Sequence, residues 1–398
     1  MSKMRLMAWA DSPSVPTGFG VVMKNLLPRF QTMGYDVVTL GINEFGFDPR
    51  TTAAFPFPIY PCRPGSPEQI YGFDRLWGIV ENEKPDVLFL LNDPWLIQNA
   101  MAIKPKGVSP YLKTVGYYPT DAAPLKPDWH EALNGLDAQV CYSHYAEGVV
   151  TKSNGGRPSN LHQVYHGVDT TTFFPMNQSV ARRFLGIPED LFIVGMVARN
   201  QPRKRFDLLM LAFAEFAKDK PKVKLYLHTA LKDIGFDILD IARQLNIADK
   251  LILTENLTPN QGVSESRLNY IYNSFDVNAL ISLGDGFGLP VAESMATGCA
   301  QIVSGNSCLQ ELVEGGEAGL VVKNAAYILN PSGINTWGSV SDVVDLTYKL
   351  NILYKSQELR IKYAESGYRF ITSPSFNWDK NAEKFDKIFK SLFNILEV

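Results

Sequence analysis

Two carboxylates eight residues apart, Asp285 and Glu293, bracket the run Gly284-Asp285-Gly286-Phe287-Gly288-Leu289-Pro290. Glycines here let the backbone approach a ligand closely, and Pro290, with its fixed φ and missing N–H, suits a first helical turn. The free N–H groups of such a helix start favour anions, while carboxylates beside it can accept hydrogen bonds from sugar hydroxyls. The same residues would also make an ordinary glycine-rich strand-to-helix turn, with both acids solvated or capping. A second group lies in Arg199-Asn200-Gln201-Pro202-Arg203-Lys204-Arg205, with four cations in seven residues directly after an apolar run. Such cations can neutralise a diphosphate or lie in water as a basic loop, and Arg203 and Arg205 fit the second role. Two more loops follow apolar runs: Pro16-Thr17-Gly18-Phe19-Gly20, and Tyr117-Tyr118-Pro119-Thr120-Asp121. Taken alone, the first reads as a simple turn, and Asp121 in the second reads as a cap or turn residue.

Short apolar runs must hold these loops in place. Met4–Ala10, Asp36–Ile42, Asp86–Leu91, Lys113–Tyr118 and Ala138–Tyr142 are of strand length and do not alternate, as expected for parallel strands covered on both faces. Intervening segments are long enough for crossover helices, including one from Val21 to Met33. Around His166-Gly167-Val168-Asp169 to Pro175 the pattern breaks into turn formers, which predicts a hinge. A second series follows at Phe192–Ala198, Val223–Thr229, Leu251–Leu253, Asp276–Ile281 and Ala300–Val303. Its first helix carries Phe206, Leu209, Met210, Phe213 and Phe216 at helical spacing, and the chain closes on a helix marked by Phe385, Ile388, Phe389, Leu392 and Leu396.

A chain of 398 residues suggests two domains. With 45% hydrophobic and 20% charged residues and a formal net charge of -3, it has the profile of a compact α/β protein with no bulk electrostatic pull toward nucleic acid or acidic membranes. Cys62, Cys141, Cys299 and Cys308 lack the paired short spacing of zinc or redox motifs, and they read as buried apolar residues in a reducing compartment. His130, His144 and His166 are scattered and read as structural. The opening MSKMRLMAWADS reaches Asp11 too soon for a signal peptide, and no window approaches a membrane span, so a cytoplasmic protein is expected.

The acid-Gly-Phe-Gly pattern with its second acid resembles the signature of the retaining, two-domain GT-B glycosyltransferases of family 4 (glycosyltransferase group 1). Ser304–Val313, Leu268–Val277 and the box Phe376-Asn377-Trp378-Asp379 resemble further stretches of that family. The resemblance implies two Rossmann-like domains facing each other across a cleft. An N-terminal acceptor domain would span 1–170 and a C-terminal donor domain 171–375, and a helix at 376–398 would cross back. It assigns donor-sugar contacts to Asp285 and backbone contacts to Phe287, Gly288 and Leu289. The nucleotide ribose falls to Glu293, and the donor diphosphate to Arg199 and Lys204. Gly18 and Gly20 resemble the family's N-terminal glycine loop, although Phe19 separates them. Asp285 is shorter than the family's usual Glu. Asp121 stands near a position where many members carry a His that is absent here, and the resemblance makes it a carboxylate on the acceptor side. The expected reaction is transfer of a sugar from a nucleotide-diphosphate-sugar to an acceptor hydroxyl with retention, without metal or other cofactor. The acceptor stays open among glycan, lipid, small molecule and nucleic acid. The competing readings are a non-catalytic nucleotide-sugar-binding protein on the same fold and a GT-B-type epimerase.

Overall fold

A computed structural model describes residues 3–44, 55–62, 70–258, 261–330 and 336–394. It divides into two compact units, one made of Met1–Thr120, Pro124–His166 and Trp378–Val398, the other of Asp121–Ala123 and Gly167–Asn377. The breaks between them fall at His166/Gly167 and Asn377/Trp378.

In the first unit the described residues form a parallel sheet of β1 (Arg5–Asp11), β2 (Asp36–Ile42), β3 (Ile59–Pro61), β4 (Val87–Leu91), β5 (Lys113–Tyr118), β6 (Ala138–Cys141) and β7 (Leu161–Gln163). Their order is β3-β2-β1-β4-β5-β6-β7. All five residues of β4 are buried, which explains their unbroken apolar run, Val-Leu-Phe-Leu-Leu. The helix Gly18–Thr32 starts at Thr17, whose hydroxyl accepts the Gly20 N–H at 3.1 Å. Gly20 is required sterically, because a Cβ there would lie 2.3 Å from the Val15 carbonyl oxygen. The terminal helix Trp378–Ser391 joins this unit through Phe385 and Phe389, which pack edge-on against Phe30 and Phe89. Leu396 lies outside the described residues.

The second unit holds a parallel sheet of β8 (Phe192–Val197), β9 (Val223–His228), β10 (Leu251–Leu253), β11 (Val277–Leu280), β12 (Ala300–Ser304) and β13 (Gly319–Val322), in the order β10-β9-β8-β11-β12-β13. An antiparallel hairpin of β14 (Asn324–Leu329) and β15 (Trp337–Ser341) follows. Buried Arg182 pins the start of this sheet, donating to the Ser274 carbonyl and to Asp276 at 2.7 Å. The four cysteines are buried and none is in a disulfide. The strands β3, β7 and β13 and the hairpin were not anticipated from sequence. β3 and β7 are three-residue edge strands, too short to show a period, and β14 is mostly exposed.

Candidate functional site

Strand order reverses between β8 and β11, which pair directly while β9 and β10 lie on the far side of β8. Loops leaving the carboxyl ends of such neighbours diverge and open a crevice, the usual ligand position of open α/β sheets. The loop after β8 supplies the cations, and the loop after β11 supplies the glycines. Main-chain bonds join them, since the Leu283 N–H donates to the Arg203 carbonyl at 2.8 Å.

Lys204 reaches both carboxylate oxygens of Asp285, at 2.6 and 2.7 Å. Arg203 donates to the Gly284 carbonyl at 3.0 Å and to Asp285 at 3.1 Å. Burial alone would raise the Asp285 carboxyl, but Lys204 and Arg203 outweigh it and hold it below the usual carboxylate range. Burial lowers Lys204 to about 8 against the opposing pull of Asp285 and, more weakly, of Asp121. Lys204 therefore stays largely charged at neutral pH. Asp121 belongs to the second unit's cluster and lies against the glycine loop: a Cβ on Gly284 would come 1.8 Å from its carbonyl oxygen.

The glycine loop is braced from the next strand. The Asp285 N–H donates to Ser307 Oγ at 3.1 Å, Ser282 N–H to Ser304 Oγ at 2.9 Å, and Asn306 Nδ2 to the Ser282 carbonyl at 3.2 Å. Gly288 precedes the helix Leu289–Ala296 at φ 91°, left-handed backbone that favours glycine, and Leu309 leaves no room for a side chain on it. Phe287 is buried and faces Phe376, while Leu289 is half-buried at the helix start. One turn into that helix, Glu293 accepts the Tyr272 hydroxyl at 2.7 Å. Burial pushes Glu293 up to about 8, against the lowering effect of that hydroxyl, so its side chain is mostly neutral at pH 7.

Structure thus gathers Lys204, Asp285 and Asp121, and sets Glu293 on the adjoining helix. Arg199 points elsewhere: its half-exposed guanidinium pairs with Asp233 at 2.8 Å. Gly18 and Gly20 belong to the first unit, where they open its first helix. Arg203, expected to lie in water with Arg205, instead donates to Asp285, and Tyr272, within the Leu268–Val277 stretch, was not singled out from the sequence. Arg205, by contrast, is spent on Asp207. His166 is fully enclosed, bonded to Tyr117 at 2.7 Å, and burial lowers it to about 3, as suits a structural residue. Among the described residues, no group of three or more His, Cys, Asp and Glu side chains gathers that could hold a metal ion.

Two parallel-sheet α/β units with the site at the strand ends of the second define a GT-B fold. Sucrose-phosphate synthase from Thermosynechococcus elongatus has this fold over 99% of the chain and 100% of its own, with a TM-score of 0.77 at 16% identity. Anabaena HepE in complex with UDP and glucose matches with a TM-score of 0.73 at 15% identity, over 98% of this chain and 100% of its own. These likenesses are of fold. Residues 177–328, within the second unit, match the family model of glycosyl transferases group 1. A D-inositol 3-phosphate glycosyltransferase of Thermobifida fusca is 30% identical over 214 residues, which is 49% of this chain and 47% of that protein. The chain thus spans about half the length of the curated relative it matches. Among the described residues no helix is long and apolar enough to cross a membrane.

Proposed function

We propose that this chain is a glycosyltransferase that moves a sugar from a nucleoside-diphosphate sugar to an acceptor hydroxyl, with retention of anomeric configuration and without a metal. The observation that carries the reading is the convergence of Arg203 and Lys204 on Asp285 in the β8/β11 crevice, beside the Gly288 helix start. Before donor arrives, the Asp285 carboxylate occupies the cations that a diphosphate would take. Donor binding would transfer Lys204 and Arg203 to the diphosphate and free Asp285 for the hydroxyls of the sugar. Cations fixed in a water-poor site stabilise the charge that grows on the leaving diphosphate, a task that other glycosyltransferases give to a metal. Glu293, one turn into the helix, would take the ribose hydroxyls, and Arg199 would join only on leaving Asp233. That Anabaena HepE is known in complex with UDP makes UDP the first nucleotide to try.

Retention rests on the family signature. The acceptor hydroxyl would attack an oxocarbenium-like centre from the face the diphosphate leaves, with a diphosphate oxygen taking its proton. Asp121, against the glycine loop, would orient that hydroxyl.

Thermal unfolding with UDP, GDP, ADP, CDP and TDP, with and without magnesium, tests the donor site. A hundredfold excess over the dissociation constant stabilises the native state by about 2.7 kcal/mol. A shift for one base, equal with and without magnesium, followed by sugar release or transfer from the matching donor, is the expected result. Binding without any turnover would leave a nucleotide-sugar-binding protein, and no shift at all would remove the donor site.

A further inference from the structure

We propose that the exposed face of the β14–β15 hairpin is a binding subsite for an extended, neutral saccharide acceptor; this rests on the glycosyltransferase reading above. The hairpin is tied to the glycine loop by its main chain. Ser339 N–H donates to the Leu283 carbonyl at 3.1 Å, and Gly338 lies so close that a Cβ on it would come 2.6 Å from Leu283 Cβ. Ser341 Oγ adds a 2.9 Å bond to Ser304 Oγ, which braces the same loop. The hairpin is thereby anchored to the loop that carries Asp285.

Register decides which side chains face out. Leu329 pairs with Trp337, Ile328 with Gly338 and Tyr327 with Ser339. Side chains alternate along a strand, so Tyr327, Leu329 and Trp337 share the face opposite the one on which Gly338 meets Leu283. They are 68%, 46% and 48% exposed, an unusual share of solvent for two large rings on one short ribbon.

Charge selects the occupant. Neither Asn324–Leu329 nor Trp337–Ser341 contains an Asp, Glu, Lys or Arg. A nucleic acid would bring a row of phosphates and need cations to meet them, which this ribbon lacks. A neutral saccharide needs none. The C–H faces of its rings carry slight positive charge and lie flat on the negative faces of Trp and Tyr. The Asn324 amide is held by a 2.6 Å bond from Nδ2 to the Gly305 carbonyl, which fixes the start of the ribbon.

The test uses the full chain with Trp337→Ala, Tyr327→Ala and Trp337→Phe. Binding of maltohexaose, cellohexaose and chitohexaose is measured by calorimetry, and the nucleoside-diphosphate shift in melting temperature is recorded in parallel. At least one hexasaccharide should bind wild type and bind each alanine variant about three- to tenfold more weakly, with Trp337→Phe recovering most of the loss. The nucleotide shift should be the same in all four proteins. Three results would overturn the proposal: no binding of any hexasaccharide, binding that the alanine variants leave unchanged, or a wild-type chain that dimerises or binds phosphatidylcholine vesicles through these two rings. A wild-type chain with no nucleotide shift would remove the donor reading, and this proposal with it, by a separate signal.

Discussion

Glu293→Gln isolates the energetic cost of keeping an acid inside the helix Leu289–Ala296. Burial lifts that carboxyl from 4.5 to about 8, a gap worth about 4–5 kcal/mol at 1.36 kcal/mol per tenfold step. Between those values the unfolded chain has released the proton and the folded chain keeps it, so the unfolded state binds fewer protons and stability falls as pH rises. The fall begins near pH 4.5, reaches roughly 3 kcal/mol by pH 7 and levels off above about 8. Glutamine keeps an oxygen for the Tyr272 hydroxyl but does not titrate. The difference in melting temperature between Glu293→Gln and wild type, taken without ligand from pH 4.5 to 9, should therefore grow by about 6–12 °C up to pH 7 at ~2–4 °C per kcal/mol. Taking the difference cancels the other titrating groups that both proteins share. If ribose hydroxyls bind the ionised carboxylate, nucleoside diphosphate should also release a proton at pH 7, visible in calorimetry as a heat that depends on the buffer, and the variant should release none. A difference that stays flat from pH 5 to 8.5 would refute the burial argument, whatever the binding data show.

Arg203→Ala should weaken nucleoside-diphosphate binding by roughly 10- to 100-fold, as expected for a lost charge-assisted contact, while Arg199→Ala should cost less than tenfold; titration of both variants checks the order, and the reverse order would restore Arg199 to the diphosphate. Lys204→Ala should destabilise the second unit by up to about 3–5 kcal/mol by leaving a buried carboxylate with Arg203 alone, and pairing Lys204→Met with Asp285→Asn should recover most of that in a melt without restoring transfer. Gly288→Ala should lower stability by about 1–3 kcal/mol, because its backbone is left-handed and a Cβ would lie 2.5 Å from Leu309 Cδ2; a melting temperature equal to wild type would contradict that geometry.

Much of the fold is legible in the sequence because parallel strands covered on both faces write themselves as plain apolar runs. Asp36–Ile42, Lys113–Tyr118 and Leu251–Leu253 have the expected ends, and most others shift by a residue. The helix Gly18–Thr32 begins three residues before the expected Val21, since Thr17 caps it through Gly20 and the glycine loop forms its first turn. The site was harder to read. Asp285 and Glu293 stand out by type and spacing, but their partners do not. Nothing local separates Arg203 from Arg199 and Arg205, and only the fold shows which of the three faces Asp285. Tyr272 meets Glu293 from a helix of its own, 21 residues away, where it is buried beside Ile271, Asn269 and Asn273 and nothing local marks its hydroxyl. The hairpin was invisible for a related reason: with its outer face apolar and exposed, it matches neither the alternating nor the continuous pattern of a strand.

The glycine loop is gripped from both sides at Leu283, whose N–H goes to the Arg203 carbonyl and whose carbonyl receives the Ser339 N–H. Both grips are made by backbone N–H and C=O groups, which every residue supplies apart from the N–H that proline lacks. Side chains on the outer face of the hairpin are thereby uncoupled from the geometry of the loop. Mutational drift can exchange Tyr327, Leu329 or Trp337 without moving Asp285, so that lineages sharing one inherited chemical centre can diversify at its border, and the hairpin becomes the place to look for differences between sister proteins.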